Sequence, residues 1–448
     1  MSPPDPASAS AQVRRRNRRI LSALFGGLGL IALLIAVPAI LLELRARSLG
    51  DELVSEVREL HAAKPKRPSH VDSPLPGSFA DGLEPMVDEL IALQASEAEL
   101  DVETKEACAA VREGTRPFSE LPKPCAEALA RGRELLERTR ALTRFERAGL
   151  PVELGALGHP DHPWQQKGLV SLQHVTRLGA LQMRRDLEAG RADEATDLCV
   201  DLLALSRDIG SGGGLLAQMV GVATAGIAFQ PCAASLDSAS VEKKRSALVA
   251  LRRIRAGIAR PSERMREERA AMSLLGTGAV VPSSHLEALP EGARALTRES
   301  AKHAREVPVA GPLLMRDAWR QWWPLVAEIG EAMDLEPSQR TVRLQALNEK
   351  ASASWNPIVR IAMPDHGRFG QRDDQRLAQH DLLVALLLHD LARTESGTWS
   401  GETPPLYPDP QQTPRFLFEV IASAEGDALR LAVRDERFPE LTVTVRPE

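Results

Sequence analysis

A run of 23 residues without a charged side chain, Ile20 to Leu42, constrains this chain more than any other feature of its sequence. Five arginines, all between Arg14 and Arg19, come directly before it. At about 1.5 Å per residue, a helix of this length is roughly 34 Å long, which is enough to cross a hydrocarbon core about 30 Å thick. The sequence therefore predicts a single transmembrane helix over residues 20–42.

The basic residues on either side of this run predict its orientation. Five arginines precede it, whereas only three, Arg45, Arg47 and Arg58, lie between residues 43 and 60. Cytoplasmic flanks carry the excess of Lys and Arg, so we expect the N-terminus in the cytoplasm and the body outside. A cleaved signal peptide is the alternative, but its apolar core is normally about 7 to 15 residues long. We favour an uncleaved anchor.

Composition and charge describe the remainder of the chain. The 448 residues carry a net charge of -5, and the first 42 contain five Arg against one Asp, or +4, which leaves -9 for the body. An acidic exported body argues against nucleic acid as a partner. Only nine of the 56 basic residues are Lys, a bias typical of high-G+C bacterial genomes. We expect a single-pass protein of the bacterial inner membrane with a periplasmic body, and no cofactor.

Hydrophobic periodicity divides the chain into segments and predicts a mainly α fold. Residues 1–19 are expected to be a disordered cytoplasmic tail, and residues 43–82 a stalk and a Pro-rich linker. From 83 to 393 the apolar residues recur at helical spacing, which predicts an irregular multi-helix body. Residues 394–448 contain three short apolar or alternating runs, which predict a small antiparallel β meander packed on that body.

One body helix and the turn before it have alternative interpretations. The stretch Leu215 to Phe229 is very apolar, but its 15 residues are too few to span a bilayer, so we expect a buried central helix. The glycine cluster from Gly210 to Gly214 lacks the Gly-Lys-Ser/Thr ending of a phosphate loop. We therefore expect a helix-to-helix turn there.

Four cysteines become informative if the body lies outside the cytoplasm, where disulfides persist. Cys108 and Cys125 lie on two predicted helices at equal distances from Pro117 in the breaker-rich connection between them. Residues equally far from the turn of an antiparallel helix pair face each other, so we predict a disulfide; two buried thiols are the alternative. Cys199 and Cys232 fail the same test, and we expect either small core residues or a less regular bridge.

One motif resembles that of a metalloenzyme family. His389-Asp390, in the run LLLHDL, resembles the His-Asp doublet of the HD-domain phosphohydrolases. The resemblance implies that the doublet binds a metal together with an upstream His, here His366 or His380, and a downstream Asp on a following helix. The chain instead continues into Pro-rich and strand-like sequence, so we favour a helix that carries His389 at the edge of the core or on a capped polar face.

A second group of metal-ligating residues lies in the segment GHPDHPW. His159, Asp161 and His162 offer nitrogen and oxygen ligands that suit a divalent metal. Prolines hold the segment extended, so the two imidazoles need not face the same way. A rigid surface loop is the preferred interpretation.

Two classes of function remain. The first is a membrane-anchored interaction or scaffold protein whose helical body binds an unknown protein of the bacterial envelope. The second is an exported metal-dependent hydrolase that uses His389 and Asp390, or the loop from His159 to His162. We favour the first class, because the sequence contains no complete catalytic signature.

Overall fold

A computed structural model describes residues 69–150, 166–280, 310–361, 366–397, 405–408, 418–422, 429–435, 437–438 and 441–445, with scattered positions from 27 to 59 and positions 287 and 294. These residues form a mainly helical protein with a small antiparallel sheet, as the sequence predicts. The helices are α1 (Phe79–Leu83), α2 (Val87–Ala98), α3 (Val102–Glu113), α4 (Lys123–Arg131), α5 (Arg133–Leu142), α6 (Gln166–Glu188), α7 (Ala192–Ile209), α8 (Gly214–Ser238), α9 (Val241–Ala256), α10 (Pro261–Val280), α11 (Ala310–Asp334), α12 (Pro337–Ser352), α13 (Pro357–Ile361) and α14 (His366–Ser396). The strands are β1 (Leu75–Ser78), β2 (Phe145–Arg147), β3 (Phe418–Ala422), β4 (Leu429–Val433) and β5 (Thr442–Val445).

Much of the predicted transmembrane segment, residues 20–42, lies outside the described residues, and so does the predicted tail 1–19. Leu33, Leu34 and Ile35, which are described, are helical and 62%, 66% and 67% exposed. Among the described helices, α8 alone is long and apolar enough to cross a membrane, and 61% of its apolar window is buried. The span at 20–42 therefore stays a prediction.

Helix α8 lies at the centre of the helical body, as predicted for Leu215 to Phe229. It packs against α6, α7, α10 and α14, so it is covered on several sides and is apolar nearly all round. Small residues permit the closest of these contacts. A Cβ added at Gly221 would lie 2.6 Å from the carbonyl oxygen of Ser206, and the hydroxyl of Ser206 donates to the Gly221 carbonyl at 2.7 Å.

The predicted bridge between Cys108 and Cys125 is present. It joins α3 to α4, with the sulfur atoms 1.96 Å apart and the Cα atoms 6.4 Å apart. Both cysteines are buried. The connection between the two helices turns where expected, because Gly114, a left-handed residue with φ of 80°, follows the last residue of α3, and Pro122 precedes α4.

Cys199 and Cys232 form a second disulfide bridge. The sequence left open either two small core residues or a less regular bridge, and the structure has the bridge. Their Cα atoms are 5.1 Å apart, and both residues are fully buried between α7 and α8. The hydrogen bond from Ser206 to Gly221 pairs the last turn of α7 with the second turn of α8. Helix α8 thus begins about one turn beyond the end of α7. This offset compensates for much of the difference between the distances of the two cysteines from the turn.

The glycine cluster forms the expected turn between α7 and α8. Gly212, Gly213 and Gly214 all have φ between 71° and 79°. At the first turn of α8, the Leu215 amide donates to the Glu268 carboxylate at 2.9 Å, so the positive end of this helix faces an acidic side chain of the chain itself.

Packed structure begins before residue 83, the position at which the sequence predicts that the helical body starts. β1 pairs with β2 in parallel, with Leu75 opposite Phe145. Phe79 is fully buried, and His70 is 5% exposed. Residues 70–82, the last part of the segment 43–82, therefore pack on the body, because their few apolar residues find partners far along the chain.

The C-terminal meander has the predicted order and direction. β3, β4 and β5 are antiparallel neighbours in that order, with Leu431 opposite both Val420 and Val443. Leu431 and Val443 are buried, and β4 and β5 contact α14. The sheet thus obtains from a helix the support that three isolated strands lack.

A second core cluster forms where α10 and α11 pack together with α12 and α13. Trp322, which is 7% exposed, packs there among Val326, Ile329 and Leu344. Trp323 points elsewhere, and the Arg269 guanidinium lies 4.5 Å from its ring centroid.

Candidate functional site

A cleft of about 450 Å³ lies between α7, α9 and the residues that precede β1. Its wall combines apolar and charged side chains. The apolar residues are Val71, Val200, Ala247, Val249 and Ala250, and the polar ones are His70, Asp72, Arg144, Thr196, Asp197, Asp201, Lys243, Ser246 and Arg253. We call this space the Asp201 cleft. It is the candidate binding site because it is concave and brings polar groups together from distant segments.

Asp201 is a buried charged residue in the wall of the cleft, 2% exposed. Its Oδ2 accepts hydrogen bonds from Arg140 Nε at 2.9 Å and from Arg144 at 3.1 Å, and His70 Nε2 lies 3.4 Å from Oδ1. Burial raises the pKa of Asp201, but the His70 contact and the charges of the two arginines outweigh it, so the pKa is lowered overall. Asp201 is therefore a buried carboxylate, and α7 presents it to a histidine from the start of the packed chain.

The rim of the cleft carries two more ion pairs. Lys243 Nζ lies 2.8 Å from both oxygens of Asp197, and Arg253 lies 2.6 Å from Asp72. Three cationic and three acidic side chains therefore line the cleft. The near balance of charge, together with the apolar wall, suits a partner that offers charges of both signs.

The cleft contains a carboxylate–imidazole pair, Asp201 and His70, and both side chains are buried in its wall. Both ring nitrogens of His70 are enclosed, and within the described part of the chain neither has a hydroxyl within hydrogen-bonding distance. A nucleophile and its general base need such contact. Asp201 lies close enough to His70 to orient its imidazole within the wall.

The His-Asp doublet lies inside the body rather than in a cleft. Asp390 Oδ2 is 2.5 Å from Lys244 Nζ, and their side chains are 2% and 3% exposed. Arg393 approaches the same carboxylate at 3.5 Å. His389 is fully buried, and burial lowers its pKa. His389 therefore lies deeper than either the core edge or the capped polar face expected from the sequence.

The long helix α14 also separates the histidines proposed as partners of the doublet. His366, His380 and His389 all lie on this one helix. At about 1.5 Å per residue, His366 is roughly 35 Å and His380 roughly 14 Å from His389 along the axis. Neither can share a metal ion with the doublet, because metal–ligand distances are about 2 Å.

The two candidate metal sites differ in what the structure describes of them. Among the residues that the structure describes, no group of three or more His, Cys, Asp or Glu could hold a metal ion. His159, Asp161 and His162 lie outside those residues. The metal-dependent hydrolase stays a prediction.

Periodicity did not reveal a row of buried charges along α14. Asp374 accepts from both terminal nitrogens of Arg340 at 3.0 Å, and Asp381 accepts from Arg255 Nε at 3.0 Å and from the Tyr407 hydroxyl. Both aspartates are fully buried. These pairs connect α14 to α9, α12 and the C-terminal segment. No local sequence pattern predicts these ion pairs, because every partner named here comes from a remote part of the chain.

A buried histidine lies within the same row. Burial, helped by the nearby charges of Arg255 and Arg376, lowers the pKa of His380 to about 3, so the imidazole is neutral. His380 and Arg376 border a small void beside Ser206 and Phe229. This polar row is part of the packing of α14, and it lies apart from the Asp201 cleft.

Comparison of the chain with protein-family models, with curated proteins and with solved structures gives no match in any of the three.

Proposed function

We propose that this protein is a single-pass protein of the bacterial inner membrane whose periplasmic helical body serves as an interaction or scaffold protein. The proposal has two parts, a location and a binding role. The pairing of all four cysteines carries the first part, and the Asp201 cleft supports the second.

Cysteine pairing favours an oxidising compartment. Cys108 pairs with Cys125 and Cys199 with Cys232, so no free cysteine is left. Reducing systems of the cytosol keep thiols reduced, whereas disulfides persist in the periplasm. Two buried bridges within one helical body are therefore expected on the outer side of the membrane.

Exposure of the N-terminal apolar residues supports the anchor. Leu33, Leu34 and Ile35 are each more than three-fifths exposed, in contrast to the mostly buried window of α8. Large apolar side chains on consecutive helical residues are unfavourable in water and favourable in lipid. The arginines before Ile20 favour a cytoplasmic N-terminus.

A reporter fusion and thiol labelling test the location. Alkaline phosphatase fused after Glu448 is expected to be active in cells and to fractionate with membranes, and removal of residues 20–42 should abolish both. Maleimide should label the denatured protein only after reduction. Activity of a cytoplasmic reporter at the same position, together with four thiols that react without reductant, would contradict the proposal.

The Asp201 cleft supports a protein partner. It lies beside His70, shortly after the predicted anchor and stalk along the chain, and it combines an apolar wall with charges of both signs. Protein interfaces combine an apolar centre with a polar rim in this way. Val249, which is 48% exposed, is the apolar side chain most available to a partner on this wall.

Site-specific crosslinking in intact cells tests this role. A photoreactive residue at Val249 should give a discrete adduct, whereas one at Val342, which is 71% exposed on α12, should not. Lys243→Glu should weaken the Val249 adduct by placing a second acidic side chain beside Asp197. Equal adducts from both positions, or none from Val249, would contradict a partner at this cleft.

A further inference from the structure

A second cleft, of about 360 Å³, lies between α2, α3 and α6 and is distinct from the Asp201 cleft. Its lining residues are Glu97, Ala98, Lys105, Ala109, Arg112, His174 and Arg177. We call it the Lys105 cleft. Three cationic side chains face a single carboxylate here, a surplus of two positive charges even with His174 neutral.

Both oxygens of Glu97, the single carboxylate of the cleft, contact side chains of α6. Arg177 donates to Glu97 Oε1 at 2.8 Å, and His174 Nδ1 contacts Oε2. Burial raises the pKa of Glu97, but the His174 and Arg177 contacts outweigh it, so the pKa is lowered and Glu97 is ionised. Both of its oxygens are thus occupied, and the negative charge is directed toward α6.

The opposite wall holds cations without a comparable partner. Lys105 Nζ donates to the carbonyl of Ala98 at 2.9 Å, and within the described residues it forms no ion pair. Arg112 pairs at 3.1 Å with Glu113, whose side chain is 55% exposed. An exposed pair of this kind contributes little, so it competes weakly with a ligand.

From these contacts we propose that the Lys105 cleft binds a small oxyanion, a phosphate or carboxylate group, between Lys105, Arg112 and Arg177. Ammonium and guanidinium groups bind such oxygens through charge-assisted hydrogen bonds. At roughly 30 Å³ per water molecule, the cleft has the volume of about a dozen waters, more than a bare phosphate fills. Ala98 and Ala109 give the remaining volume an apolar surface, so the oxyanion belongs to a larger organic molecule.

A disulfide and the hydrogen bonds of one arginine hold α3, which carries Lys105 and Arg112, in place. Cys108, next to Ala109 on α3, is bridged to Cys125 on α4. At the C-terminal end of the same helix, Arg184 on α6 donates to the carbonyls of Arg112 at 3.1 Å and of Glu113 at 2.8 Å. A site held rigid before binding loses less conformational entropy when the ligand arrives.

Calorimetric titration of inorganic phosphate into the full-length protein in non-ionic detergent tests the proposal. Lys105→Gln keeps a hydrogen-bond donor but removes the charge, and it should weaken phosphate binding by about tenfold. Lys123→Gln is the matched control, because Lys123 is 88% exposed on α4 outside the cleft. The control should bind as the wild type does, and both variants should unfold at the wild-type temperature.

A second arm identifies the source of the oxyanion. Short-chain phosphatidylglycerol is titrated in parallel with short-chain phosphatidylcholine. Phosphate binding that depends on Lys105 supports the proposal and indicates a soluble ligand. Binding of phosphatidylglycerol alone, with the same dependence on Lys105, supports it and indicates an anionic lipid headgroup. Absence of binding by both probes, or equal binding by wild type and Lys105→Gln, overturns it. No outcome depends on the cellular location of the body.

Discussion

Replacement of Lys244 by methionine removes one half of the buried ion pair between α9 and α14. Lys244 Nζ lies 2.5 Å from Asp390 Oδ2, and both side chains are almost completely enclosed. Removal of one partner from a buried pair costs about 3–5 kcal/mol, because the remaining charge is desolvated without compensation. Arg393 lies 3.5 Å from the same carboxylate and compensates in part. We therefore expect Lys244→Met to lower the free energy of unfolding by about 3 kcal/mol.

The matched double variant, Lys244→Met with Asp390→Leu, separates packing from charge. Replacement of both partners of a buried pair by apolar groups is often close to neutral, so the double variant should lie within about 1 kcal/mol of the wild type. Urea unfolding of the full-length protein in non-ionic detergent, followed by far-UV circular dichroism, measures both values.

Two results would refute this reasoning. The first is a double variant as unstable as Lys244→Met, which would mean that packing rather than charge governs the site. The second is a wild-type protein whose unfolding midpoint falls on addition of a chelator, with Asp390→Leu insensitive to it. That result would favour a metal ligand role for Asp390, as the resemblance to the HD-domain doublet implies.

Three further perturbations test the turn, the buried histidine and the second disulfide. Gly212→Ala should destabilise the fold by more than about 1 kcal/mol in urea unfolding, because φ is 79° there and the added Cβ would lie 1.8 Å from the Leu150 carbonyl oxygen; wild-type stability in this variant would contradict the turn. His380 has a folded pKa of about 3 against 6.5 when unfolded, so the unfolded state takes up the proton first as the pH falls. The free energy of unfolding should then decrease from pH 6.5 to 3, by up to about 1.4 kcal/mol per pH unit, and the His380→Leu variant should show a shallower decrease. Replacement of Cys199 and Cys232 by alanine should lower the unfolding free energy by about 4 kcal/mol, given a loop of 33 residues; an unchanged urea midpoint would show that the bridge contributes no stability.

Much of the fold was predictable because its signals are local. The helical body, the central helix and the meander each follow from the spacing of apolar residues within one element. The bridge from Cys108 to Cys125 was also predictable, because a short connection places both cysteines at equal distances from one turn. Each of these inferences depends on residues close together in the sequence.

The candidate sites were not predictable in the same way. His70 lies in a segment whose prolines indicate a linker, yet the fold places it beside Asp201. The sequence singled out His389 and Asp390, but the structure pairs Asp390 with Lys244 inside the body. Lys105, Arg112 and Arg177 are ordinary solvated residues in the sequence. Only the packing of α3 against α6 brings them to one cleft.

The sequence by itself determined the helical class, the strand order of the meander and the prediction of an apolar N-terminal span. These properties depend on periodicity and length, which each segment carries within itself. The tertiary structure decided the bridge between Cys199 and Cys232, the ion pairs of α14 and the charge surplus of the Lys105 cleft. These depend on how far one helix projects past another, and a shift of one turn, about 5.4 Å, is enough to make or remove such a contact.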